Sequence, residues 1–130
     1  MDLNLVWAAL AGALLGSLAD WLFASVVFRE RYRLHPEVWR QGNERGRLAA
    51  SQALVLVTSI AFVLLAWKTH QTDGRGALKL AAMIWLIGPL PMMLANAMFI
   101  RIDRLVTVSH AIGWLAKLLL IAAATAWFVD

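Results

Sequence analysis

Four apolar runs, each of about 20 residues or more, occupy most of this chain. They cover residues 3–28, 48–67, 78–100 and 105–129. At a rise of about 1.5 Å per residue, a helix of that length crosses the ~30 Å hydrocarbon layer of a bilayer. Inside hydrocarbon a backbone has to satisfy its own N–H and C=O groups, and an α-helix does so within one segment. The pattern predicts an all-α, polytopic membrane protein: a single domain over 1–130, built as a bundle of four transmembrane helices. Composition agrees, with 62% hydrophobic and 15% charged residues. Soluble domains have about 45–50% and about 25%. A soluble fold of this size would lack the polar side chains to cover its surface. A soluble enzyme, a disordered chain and a disulfide scaffold are therefore excluded. There is no cysteine, which removes disulfides, thiolate metal sites and cysteine nucleophiles. The first run has no basic segment ahead of it and exceeds a signal-peptide core, so it reads as a retained span.

The basic residues lie mostly between the runs. Arg29, Arg31, Arg33, Arg40, Arg45, Arg47, Arg101 and Arg104 fall on one side, while Lys68, Arg75 and Lys79 fall on the other. Eight against three predicts that the arginine-rich loops face the cytoplasm and that both termini lie outside the inner (plasma) membrane. The net charge of +4 is thereby explained without nucleic acid, which is not an expected partner. Residues 29–47 also carry Tyr32, Leu34, Val38 and Trp39. This predicts a short amphipathic cytoplasmic segment between helices 1 and 2, interrupted near His35-Pro36. Its arginines Arg29, Arg31, Arg33, Arg40, Arg45 and Arg47 would meet anionic headgroups or a membrane-protein partner. Trp7, Trp67 and Trp127 fall near the outer ends of spans, as in an interfacial belt. Trp21, Trp85 and Trp114 lie deeper, and core packing is expected for them.

Ionisable groups are rare within spans because burying charge in hydrocarbon costs several kcal/mol. This chain has Asp20, His110 and Lys117, with Thr58, Ser59, Asn96 and Ser109 as neutral companions. Counted from the cytoplasmic ends, Asn96 lies about 6 Å in, His110 about 8 Å, Asp20 about 12 Å, Thr58 about 15 Å and Lys117 about 18 Å. Asp20, Asn96, His110 and Lys117 therefore form the expected intramembrane polar site. On the first helix Ala8, Gly12, Gly16, Asp20 and Ala24 recur every four residues, and Gly12 and Gly16 allow close helix packing. On the fourth, His110, Gly113, Lys117 and Ala124 share a face. Pro89 and Pro91, in Gly88-Pro89-Leu90-Pro91, predict a helix break in the third span. Asp20 and Lys117 are the right types, at reachable depths, for an internal ion pair. His-Glu-x-x-His, nucleophile-elbow and phosphate-loop patterns do not occur in the sequence, and no catalytic, metal or cofactor site is expected.

Trp7, the stretch Leu15-Gly16-x-Leu18, Trp21 and Phe28 resemble the first helix of a short bacterial four-helix membrane family, domain of unknown function 1761. In the second half Trp85, Asn96 and Phe99 fall at similar spacing. His110-Ala111-x-Gly113-Trp114 resembles that family's Asn-Ala-Gly-Tyr signature, with His for Asn and one extra residue. The family's Tyr-Ser-Pro after the first-helix tryptophan is replaced here by Leu22-Phe23-Ala24. The resemblance implies a four-helix membrane fold and no particular activity.

Two functions are compatible with these residues. One is a homo-oligomeric transporter or channel that pairs through the Gly12–Gly16 stripe and uses Asp20 as a proton- or cation-exchanging carboxylate tuned by its neighbours. The other is a structural or accessory membrane protein. There Asp20 and Lys117 fix helix register, and the arginine-rich loop holds anionic lipid or a partner.

Overall fold

The computed structural model describes residues 3–23, 44–101 and 103–130. Among these, regular structure is helical: α1 (Leu3–Leu22), α2 (Glu44–Lys68), α3 (Gly74–Ile87), α4 (Pro89–Phe99) and α5 (Arg104–Val129). Helices α3 and α4 form one interrupted span, Gly74–Phe99. Together with α1, α2 and α5 it makes four helices long and apolar enough to cross a membrane. The chain thus has the make-up of a multi-pass membrane protein. Residues 24–28 of the expected first span lie outside the described residues. So do Arg29, Arg31, Arg33 and Arg40, with most of the expected amphipathic segment.

Helix ends depart from the hydropathy boundaries for local reasons. Helix α2 is already helical at Glu44, the first residue described there, so Arg45 and Arg47 belong to the helix ahead of residue 48. Helix α3 starts at Gly74 rather than 78 because Asp73 caps it, accepting a hydrogen bond from the Gly76 amide at 3.2 Å. Asp103 caps α5 in the same way, through the Leu105 amide at 2.8 Å. The expected break falls at Gly88, whose amide closes α3 on the Ile84 carbonyl. Pro89 then starts α4 at its first position, where a missing N–H is harmless. Pro91 follows within the first turn of α4.

The α2–α3 turn is a Schellman motif. Gln71 N donates to Ala66 O at 2.8 Å, and His70 N donates to Trp67 O at 3.3 Å. His70 supplies the left-handed residue, with φ of 58°.

Helix α5 is the hub. It packs on α1, α2, α3 and α4 and buries the largest share of any span. One core cluster joins Phe62 and Ala66 of α2, Ala77 and Ala81 of α3, and Leu118, Ile121 and Ala122 of α5. A second joins Leu5, Ala8 and Ala9 of α1 to Val63 of α2, with Phe128 and Val129 packed against it. The alanines bring the helix axes close, which compensates for the absence of a hydrophobic drive between helices in lipid. The outer faces carry large apolar side chains, among them Leu14, Ile87 and Phe99, each more than two-thirds exposed. In water such a surface would be an aggregation site; lipid matches it. Trp7, Trp67 and Trp127 are exposed near helix ends, as an interfacial belt requires. Trp21 is exposed too, so the expectation of core packing fails for it. Trp85 and Trp114 pack partly buried against the first cluster.

Candidate functional site: an ion pair between α1 and α5

The small-residue stripe of α1 faces its own bundle. Ala8, Gly12 and Gly16 are buried. Ser59 of α2 donates to the Ala9 carbonyl at 2.7 Å, drawing α2 onto this stripe. A Cβ on Gly12 would lie 2.5 Å from Ser59 Oγ and 3.2 Å from a methyl of Ile121. A Cβ on Gly16 would lie 3.1 Å from Lys117 Cγ and 3.1 Å from a Val55 methyl. The stripe is thus filled by α2 and α5 of the same chain. Symmetric pairing of two copies through Gly12 and Gly16, expected from the sequence, has no free surface there.

The notch at Gly16 receives the stem of Lys117. That lysine's side chain is 8% exposed, and its Nζ lies 3.2 Å from Asp20 Oδ2. Asp20 sits one turn beyond Gly16 on the same stripe, which is how the four-residue period delivers it to the lysine. Its side chain is 35% exposed, so the carboxylate forms the open edge of the pair. The ammonium also lies 3.8 Å from the centroid of the Trp114 ring. Trp114 and Lys117 are three apart on α5 and so share a face. The ring offers its negative π-face to the same ammonium that Asp20 pairs, a second compensation for a buried charge.

His110 lies on the same helix, seven residues or about two turns before Lys117, and is exposed. Phe23, just past α1, lies over Gly113. The structure therefore joins Asp20 of α1 to Lys117 of α5, with His110 further along the same helix. It does not gather Asn96, which is exposed on α4, a helix packed on α3 and α5. The other polar residues are used locally. Thr58 Oγ1 donates to the Leu54 carbonyl at 3.0 Å, and Ser59 is committed to α1. Arg45 and Arg47 are exposed on the first turns of α2. Among the described residues no group of three or more His, Asp or Glu is placed to hold a metal ion.

Several contacts were not foreseen in the sequence. Trp114 beneath Lys117 could have been read from the i, i+3 spacing. The Gly16 notch could not, because a packing glycine does not say which side chain fills it. Trp85 Nε1 donates to the Ala111 carbonyl at 2.8 Å and ties α3 to α5 just before the break. Ser17 Oγ donates to Gln52 Oε1, linking α1 to α2.

No family model, curated protein or solved structure matches this chain.

Proposed function

We propose that this chain is a structural or accessory protein of the inner membrane in which the Asp20–Lys117 pair locks α1 to α5. Its arginine-rich segment, including Arg45 and Arg47, then faces the cytoplasm and holds anionic lipid or a protein partner. The resemblance to domain of unknown function 1761 and the outside placement of both termini belong to this proposal. The observation that carries it is the packing of Lys117. A mobile or exchanging lysine needs slack around it. This one has its stem in the Gly16 notch, its charge on a carboxylate and its ammonium on an indole face. Such a site resists motion and resists the loss of either partner.

A second reading, transport or conduction, draws on one observation: the partial exposure of Asp20. A carboxylate open on one edge is where a proton or cation would arrive. The two readings differ in whether water reaches the pair. The native chain has no cysteine, so single cysteines at Ser17, Ser109 and Gly113 can be challenged in membranes with a charged thiol reagent. The structural reading expects no labelling at the buried Ser109 and Gly113. Labelling there from one side of the membrane, together with flux that is lost in Asp20→Asn, would establish transport instead.

A further inference from the structure

The span α3–α4 buries the smallest share of itself of the four. Its second half carries an exposed amide, Asn96, on an exposed apolar surface; of the other amides exposed within described spans, Gln52 is bonded to Ser17 and Asn4 also has a partner. On α4, Met92 is 51% exposed, Met98 78%, Phe99 86% and Ile100 54%. Asn96 stands among them, exposed. Its backbone carbonyl accepts the Ile100 amide at 2.8 Å, but nothing among the described residues hydrogen-bonds its side chain. Apolar residues precede and follow it, and it belongs to the apolar span Gly74–Phe99, about one turn from the end of that span. An amide left unpaired in an apolar medium is unfavourable by several kcal/mol. Lipid chains offer it neither donor nor acceptor.

Met92, Asn96 and Phe99 are spaced by four and three residues, the spacing of a helix–helix seam. Ala95 beside them, also exposed, lets a second helix come close. A carboxamide both donates and accepts. Two copies inserted in the same direction carry Asn96 at the same depth, so a twofold axis along the membrane normal brings the two amides face to face. Each then satisfies the other. That self-complementarity singles out a second copy of this chain as the occupant, since a different partner would have to bring its own matching polar group to that depth. The Gly12–Gly16 stripe, being filled from within, does not compete.

We infer that the chain forms a parallel homodimer through the Met92–Asn96–Phe99 face of α4, with the two Asn96 side chains hydrogen-bonded across the axis. This rests on the reading of the chain as a multi-pass membrane protein.

The test uses the full chain in its membrane. Single cysteines replace Met92 or Phe99, with Leu48 on α2 as an exposed control, and the membranes are oxidised. The dimer predicts disulfide-linked homodimers from the α4 positions and little from Leu48. In liposomes, dimerisation followed by energy transfer on lipid dilution should weaken roughly 3- to 20-fold in Asn96→Leu. Asn96→Gln, which keeps the amide, should retain most of the association. A chain that resists alkaline extraction yet gives no α4 crosslink overturns the dimer and leaves the membrane reading intact. Equal association in Asn96→Leu and the native chain, or α4 crosslinks to a different protein, also overturns it. Loss of the chain from membranes on extraction removes the membrane reading itself.

Discussion

At the scale of single residues the chain stakes most on Lys117. A lysine 6% exposed at that depth is tolerable only because Asp20 and Trp114 compensate it. Removing Asp20 would leave a buried, half-compensated cation. Breaking such a pair on one side generally destabilises by about 3–5 kcal/mol, and the open edge of Asp20 puts Asp20→Asn at or below the lower end. The midpoint of unfolding in mixed micelles should report it. Gly12 gives a second prediction. Gly12→Ala drives a methyl into Ser59 Oγ and Ile121 and should destabilise by about 1–3 kcal/mol. Gly74→Ala, where a Cβ meets nothing within 4 Å, should leave the same midpoint unchanged. The residue types of the site were legible in the sequence, because charges in an apolar run stand out. That Asp20 and Lys117 share one face each was legible from the helical period. The rest was not. Periodicity assigns a face to Asn96 but not the neighbour that face meets, and α4 turns it outward.

Among the elements, the helix ends were the least legible part. Hydropathy marks where apolar residues stop, whereas helices stop where caps satisfy the terminal amides and carbonyls. Asp73 and Asp103 each stand just before an apolar run, a signal that was there to read. Replacing either with Ala should destabilise by about 1 kcal/mol, seen as the same shift in midpoint. The α2–α3 turn gives a sharper test. His70 holds a left-handed backbone that β-branched residues avoid. His70→Val should be destabilising by about 1–2 kcal/mol, while His70→Gly should be close to neutral. The third span was legible as interrupted, since two prolines two residues apart cannot both sit in a helix interior. Its break falls at Gly88, and the prolines serve as the opening turn of α4.

For the whole molecule, four spans followed directly from length and hydropathy. Their arrangement did not, because lipid-facing and protein-facing surfaces are equally apolar. It is the small residues and the few polar ones that choose neighbours, and these make α5 the hub. The Asp20–Lys117 pair, on this view, is the lock between α1 and α5. The most direct test is a double-mutant cycle of Asp20→Asn, Lys117→Met and the two combined, read as unfolding free energy in lipid micelles. Asp20→Asn should be destabilising, and adding Lys117→Met should recover most of the loss, a coupling of about 1–3 kcal/mol. Additive effects, with no recovery in the double variant, would contradict it.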